Sequence, residues 1–160
     1  MLTLRRPALE DADALVAAVQ DPEIPRWTNV PSPYTHEHAV EYIQREDPRV
    51  LNLLAFEDDE LVGSFSLLEI DLDAEYAEVG YWVAREARGR GVATEGVERM
   101  KLIADQLGVT RLELIAHRDN VGSRGVARKA GFAETGEMRP APRVDPPTAP
   151  DYVVYAWSAE

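Results

Sequence analysis

The sequence predicts a mixed α/β fold, a single sheet flanked by helices. Three observations predict it: an apolar stripe at helical spacing near the start, a hairpin-rich first half, and then the order strand, helix, strand, helix, strand, strand. A chain of 160 residues and 17.8 kDa is the size of one domain, so residues 1–160 are read as one unit with a single core.

Leu2 to Arg5 is a short strand. Ala12, Leu15, Val16 and Val19 fall at i, i+3, i+4 and i+7, which predicts an amphipathic helix over Glu10 to Gln20, ending before Asp21 and Pro22. A second helix is expected from Thr35 to Arg45, with Thr35 as its cap and His38 where a capping box would place Glu or Gln. Leu51 to Phe56 and Leu61 to Ile70 are strand-length apolar runs joined by a polar four-residue connection, Glu57 to Glu60, suited to an antiparallel hairpin. Tyr76 to Val83 adds a third strand to that group. Val97, Met100, Ala104 and Leu107 mark the buried face of a long helix that Gly108 ends. Leu112, Leu114 and Ala116 alternate with polar or outward positions as a strand, and Val121 to Lys129 forms a helix stopped at Gly131, after which Phe132 restarts extended chain. Five prolines between Pro140 and Pro150 exclude regular helix and central strand there; the segment is read as a mobile loop kept soluble by Arg143 and Asp145. Tyr152 to Trp157 closes the chain as a last strand.

Composition narrows the function. With 17 Lys plus Arg against 29 Asp plus Glu, the formal charge is −12, which argues against generic binding to DNA, RNA or anionic lipid and favours cationic partners. There is no cysteine, so disulfides, thiolate zinc sites and a cysteine nucleophile are excluded. Ala14 to Val19 and Tyr152 to Trp157 are the longest apolar runs, far short of the roughly 18 residues of a membrane span, and no apolar stretch follows Arg5 and Arg6, so a cytoplasmic protein off the membrane is expected. His36 and His38 do not share a helix face and His117 stands alone, so no metal site is expected.

Two short segments reverse the acidic balance. Arg85, Arg88 and Arg90 precede one predicted helix, and Arg118, Arg124, Arg128 and Lys129 begin or line the next. Helix dipoles and free first-turn N–H groups add to their charge, which makes an anion such as a phosphate ester the natural occupant, against the plainer reading of two solvated helix faces. Between strand and helix stand Arg88, Gly89, Arg90, Gly91, Val92 and Ala93, where residues without a β-carbon let backbone amides approach a pyrophosphate. A P-loop is excluded because no Gly-Lys-Ser/Thr follows, and a dinucleotide fingerprint wants a small residue where Thr94 stands, although Glu113 lies near the position of a ribose-binding acid.

The same loop resembles the acetyl-CoA loop of the GNAT N-acetyltransferases, R/Q-x-x-G-x-G/A, matched by Arg88, Gly91 and Ala93. A second family pattern, N-x-x-S followed by a helix closing in G-F, is matched by Asn120, Ser123, Gly131 and Phe132. The opening Leu2 to Pro7 with Asp11 and Ala12, the segment Pro22 to Thr35, the run Glu78 to Val83 (EVGYWV) and Asp151-Tyr152 resemble the branch of ribosomal-protein N-terminal acetyltransferases of RimJ/RimL type. The proline-rich stretch departs from that branch, on the acceptor side.

That resemblance implies a GNAT acyl-CoA N-acyltransferase fold: a mostly antiparallel sheet with one parallel, splayed pair. It implies that Trp82 and Val83 offer backbone groups to the pantetheine arm, that amides from Arg88 to Thr94 hold the pyrophosphate, with Arg88 and Arg90 adding charge, and that Asn120 contacts CoA. Acetyl-CoA is then a co-substrate, and the partner is an amine acceptor, either a protein or peptide N-terminus or a small cationic amine. Monomer and homodimer both stay open.

Attack on a thioester needs a neutral amine, so a base should face the acceptor. Glu78 shares a strand face with Gly80 and Trp82 near the expected splay and is the candidate, with Glu69 a less specific one and a positioning carboxylate the plainer reading. Many family members carry a tyrosine four residues after the serine as the acid for the departing thiolate; here Ala127 stands there, which leaves Ser123 as the hydroxyl at the sulfur or as a simple helix cap. Ala127 also keeps a different class open, a non-catalytic acyl-CoA-binding module, which would bind CoA without releasing CoA-SH.

Overall fold

In the computed structural model, which describes all 160 residues, seven strands form one sheet in the order β1-β2-β3-β4-β5-β7-β6. The strands are β1 (Thr3–Arg5), β2 (Leu51–Glu57), β3 (Glu60–Asp71), β4 (Tyr76–Val83), β5 (Arg111–His117), β6 (Ala133–Arg139) and β7 (Tyr152–Ser158). The helices are α1 (Ala12–Val19), α2 (Glu23–Trp27), α3 (His36–Gln44), α4 (Val92–Gln106) and α5 (Val121–Lys129). No helix is long and apolar enough to cross a membrane.

Every neighbouring pair is antiparallel except β4–β5, which is parallel over only Tyr76↔Arg111, Ala77↔Leu112 and Glu78↔Glu113. Beyond Glu78 the two strands part: β4 stays on β3 as far as Val83↔Gly63, while β5 stays on β7 as far as His117↔Tyr152. The splayed parallel pair expected from the sequence is therefore present, opening at Glu78 and Glu113.

Side-chain alternation divides the core between the two faces. Ala77, Val79 and Val83 of β4 and Leu112, Leu114 and Ala116 of β5 join Phe65 and the inner sides of α4 (Val97, Met100, Ala104) and α5 (Ala127). On the other face Leu54 packs against Leu15, Val19, Ile24, Tyr34 and Ala39 from the α1–α3 layer, with Trp82 at its border. Glu78, Gly80 and Trp82 belong to this second face.

Several boundaries differ from the sequence reading. The helix expected over Glu10 to Gln20 begins with a 3-10 turn, Leu9–Asp11, where the Asp11 carboxylate accepts from Ala8 N at 2.7 Å and from both Nη atoms of Arg5 at 2.9 Å. The hairpin turn is two residues, Asp58 and Asp59, both at positive φ (49° and 65°), so Glu57 and Glu60 pair as strand instead of forming part of a four-residue connection. Thr35 caps α3 as expected, accepting from His38 N at 3.2 Å, and the imidazole supplies the missing capping-box acceptor: His38 Nδ1 takes Thr35 N–H at 3.0 Å. The short helix α2 was not expected at all.

Candidate active site

The loop between β4 and α4 owes its shape to glycine. Gly89 and Gly91 sit at φ 76° and 78°, and a β-carbon at either would meet nothing within 4 Å, so backbone conformation alone demands the residue. Gly91 is the N-cap of the fifteen-residue α4, and no side chain caps that end. The first-turn amides of Val92, Ala93 and Thr94 therefore point outward with the positive end of a long helix dipole behind them.

A cavity of about 980 Å³ runs from this helix end through the β4–β5 gap to the α1–α3 face. Glu78, Trp82, Val83, Arg88, Gly89, Gly91, Val92, Ala93, Thr94, Asn120 and Ser123 all line it. Arg90 does not: its guanidinium turns to the Glu57 carboxylate at the end of β2, 3.1 Å away, so this one expected anion contact is drawn off by an acid of the hairpin. Arg88 lines the cavity but is also held, donating Nε to Val83 O at 3.2 Å and pairing with the buried Asp21 carboxylate at 2.7 Å. Within β4 the backbone directions separate Trp82 from Val83. Ala84 N donates across to Val62 O, so alternation turns the Trp82 carbonyl towards β3 and those of Tyr81 and Val83 towards the gap.

Glu78 sits where the strands part, 6% exposed, directly beside Glu113 on the parallel neighbour. Two adjacent carboxylates there would repel. Each is matched by an arginine, one in the chain that follows β6 and one at the end of β6 itself: Arg143 Nη1 and Nη2 donate to Glu78 at 3.0 and 2.9 Å, and Arg139 donates to both oxygens of Glu113 at 2.9 and 3.1 Å. Tyr76 adds its hydroxyl to Glu113 at 2.7 Å. Hydrogen bonding to Glu78 holds the Arg143 pKa above its ordinary value, and burial, reinforced by Glu113, does the same for Tyr76. Glu69, the less specific base candidate, pairs with Arg49 at 2.8 Å and approaches the same Arg143 at 4.0 Å.

Sequence reasoning missed Arg143. Its segment was expected to be a mobile, solubilising loop; the structure instead folds Arg143, half-buried at φ 57°, onto Glu78 and holds Pro142 O to Asn29 Nδ2 at 2.8 Å. Two hydroxyl pairings on the walls were also unforeseen. Tyr42 and Ser64 share a 2.7 Å hydrogen bond on the Glu78 face, where burial pushes the Tyr42 phenol up to about 12. On the opposite wall Tyr81 donates its hydroxyl to Ser123 at 3.0 Å. Strand alternation was the available signal for Tyr81, since it places that side chain opposite Glu78 and towards α5.

Asn120 is the cap of α5, its side chain accepting from Ser123 N at 3.2 Å. Ser123 is therefore the capped residue and not the cap, which leaves its hydroxyl on the cavity wall. His117 packs between Trp27 and Tyr152 with Nδ1 accepting from Asp119 N, and no group of three or more His, Asp or Glu side chains converges as a metal site.

A sheet opened along one parallel pair, with an uncapped helix end at one side of the opening and a carboxylate at the other, can hold an extended phosphate-bearing ligand with its far end beside a proton acceptor. Comparison with known proteins gives the family. Residues 1–133 match the family model described as an acetyltransferase (GNAT) domain. An uncharacterized N-acetyltransferase, p20 of Bacillus licheniformis, is 30% identical over 147 residues, 86% of this chain and 82% of that protein. The ribosomal-protein-serine acetyltransferase of Escherichia coli K12 is 32% identical over 89 residues, 55% of this chain and half of that protein. Among solved structures, the microcin C7 self-immunity acetyltransferase MccE, in complex with acetyl-CoA and AMP, superposes with a TM-score of 0.87 at 22% identity, covering 99% of this chain and 92% of that one. RimL, a ribosomal alpha-N-protein acetyltransferase in complex with coenzyme A, gives 0.86 at 23% identity over 98% and 93% of the two chains. The chain belongs to the GNAT acetyltransferase family and is an N-acetyltransferase of the class that draws its acetyl group from acetyl-CoA. The non-catalytic alternative is thereby set aside.

Proposed function

We propose that this enzyme transfers acetyl from acetyl-CoA directly to a primary amine at the N-terminus of a protein or peptide. The observation that carries the reading is the single cavity joining the Gly91–Thr94 amides, the β4–β5 gap and Glu78. Phosphates fit the first turn of α4, where free N–H groups and the dipole favour anions. The gap-facing backbone groups of Tyr81 and Val83 suit an extended amide-bearing arm, and the thioester then lies beside Glu78. No cysteine exists to take the acetyl group, which favours direct attack over an acyl-thiol intermediate.

On the Glu78 face the cavity is lined by Trp27, Tyr34, Tyr42 and Glu41, a mixed aromatic and acidic wall suited to an extended peptide carrying a cationic end. The likeness to the ribosomal-protein-serine acetyltransferase supports the same class of acceptor. A small cationic amine is the second reading, favoured by the net charge of −12. Glu78, which lines the cavity, takes the proton from the acceptor: Arg143 uses two of its four or so lone-pair sites and leaves the others unused. The working unit is residues 1–160 as one domain, acting in the cytoplasm.

The test is acetyl-CoA-dependent mass gain across a panel of N-terminal peptides, polyamines and aminoglycosides, with CoA-SH release followed in parallel. Peptide N-termini should be turned over with the highest kcat/KM; turnover confined to small polycations would replace the first reading with the second. Glu78→Gln should lower kcat about 100-fold near neutral pH while leaving the acetyl-CoA KM unchanged. Because an α-amine loses its proton unaided above about pH 8, that deficit should shrink as pH rises, and a deficit constant with pH would reduce Glu78 to a structural carboxylate.

A further inference from the structure

The departing thiolate has no obvious acid in this chain. Ala127, one turn beyond Ser123 on α5, is fully buried and carries only a methyl group. A second hydroxyl nonetheless reaches the same place from the other side of the gap. Tyr81 projects from β4 three residues past the last parallel pair, stacks on the buried Phe65 ring at 5.6 Å and 14°, and donates its O–H to Ser123 Oγ at 3.0 Å. Both residues line the cavity.

The direction of that hydrogen bond matters. Ser123 N–H is already committed to Asn120, and Ser123 Oγ accepts from Tyr81, so the serine's own hydrogen is left to point into the cavity. Serine alone is a poor acid; a serine that accepts from a phenol gives up its proton while receiving another. Burial raises the Tyr81 pKa and the Ser123 contact offsets part of that rise, so the phenol stays protonated across the neutral range.

We propose that Tyr81 and Ser123 form a two-hydroxyl relay that returns a proton to the CoA sulfur, Tyr81 standing in for the acid that Ala127 lacks. This rests on the reading above that the thioester lies in the β4–β5 gap. Glu78 takes one proton from the acceptor ammonium and passes it to water; the neutral nitrogen then adds its lone pair to the thioester carbon, and the second proton it releases goes to the freed Glu78 carboxylate. Collapse of the tetrahedral intermediate re-forms the carbonyl and breaks the C–S bond, the electron pair leaving on sulfur. Ser123 gives its proton to that sulfur and takes the Tyr81 proton, and the tyrosinate is reprotonated by water through the open cavity. Ser123 touches the reacting atom, and Tyr81 acts through it.

Tyr81→Phe keeps the ring and its stacking while deleting the hydroxyl. Its kcat with acetyl-CoA should fall at least 10-fold, within the range of general acid catalysis, with the acetyl-CoA KM and melting temperature little changed. Ser123→Ala should lose as much, and the Tyr81→Phe/Ser123→Ala double variant no more than Ser123→Ala alone, because the two act in series. The decisive arm replaces the thioester sulfur by selenium: a selenolate is a weak base that leaves without a proton, so Tyr81→Phe and wild type should turn over the selenium donor at similar rates. Equal losses on both donors, additive losses in the double variant, or an unchanged kcat for Tyr81→Phe would overturn the relay. Those outcomes all require an active wild type, so they are distinct from failure of the functional reading, in which wild type itself acetylates no amine.

Discussion

Gly96→Ala puts local helix preference and tertiary packing in direct opposition. Gly96 lies inside α4, where replacing glycine by alanine ordinarily stabilises a helix by about 1 kcal/mol. A β-carbon here would overlap three carbons of the Phe65 ring. Phe65 is fully buried and stacked on Tyr81, so the ring cannot simply swing aside. Forcing extra volume into such a core costs roughly 1–3 kcal/mol and sometimes more; with contacts this short the upper end applies, leaving a net loss of about 2 kcal/mol after the propensity gain. At about 2–4 °C per kcal/mol for a chain of this size, the melting temperature should fall by roughly 4–8 °C. Urea unfolding should give a lower midpoint with an unchanged slope, and Gly96→Ala/Phe65→Leu should recover part of the loss. A Gly96→Ala variant more stable than wild type would show that α4 can move off the sheet, and would refute the argument that glycine is needed for the close approach of α4 to Phe65.

Two further outcomes follow from the ion pairs. Arg143→Ala strands the buried Glu78 carboxylate; because the arginine itself is 38% exposed, the cost should fall below the 3–5 kcal/mol typical of a fully buried pair, at about 1–2 kcal/mol. The Arg143→Ala/Glu78→Gln double variant should be more stable than the sum of its parts in thermal unfolding, and simple additivity would mean that the pair is not coupled. Hydrogen bonds from Arg5, then from Ala8 N, hold the Asp11 pKa below its ordinary value of 3.8. A depressed folded-state pKa gives stability that is present above the unfolded value and is lost as pH falls through the folded one. Wild type should therefore exceed Asp11→Asn in stability at neutral pH, with the difference closing as pH drops below 3.8, and a constant difference in urea unfolding across that range would contradict the assignment.

What could be read from the sequence was what depends on neighbours along the chain. β4 over Tyr76–Val83, β5 with Leu112, Leu114 and Ala116 buried, and the stop of α5 before Gly131 all follow from local periodicity and punctuation. The glycine-rich loop was legible because positive φ at Gly89 and Gly91 leaves a mark on residue type. The helix α2 was not, since Pro22 and Pro25 look like breakers; Pro25 in fact lies in the first turn, where no intrahelical partner for its nitrogen is needed. Arg143 on Glu78 joins residues 65 positions apart through an irregular segment, and no periodicity encodes such a contact. Tyr81 lay between, its direction implied by alternation but its partner fixed only by where α5 docks.

The splay between β4 and β5 also bears on how the protein avoids its own kind. Unpaired strand edges are templates for another chain, and here the outer edges are blunted: β1 is three residues long, and β6 is irregularly paired and carries Glu134, Glu137 and Arg139. The bare stretches that remain, Val79 to Val83 of β4 and Leu114 to His117 of β5, face one another in the middle of the sheet and border the cavity. The fold thus keeps unspent backbone hydrogen-bonding capacity inside the sheet and not at its outer edges, and a ligand that pairs there completes the sheet without offering a site for growth.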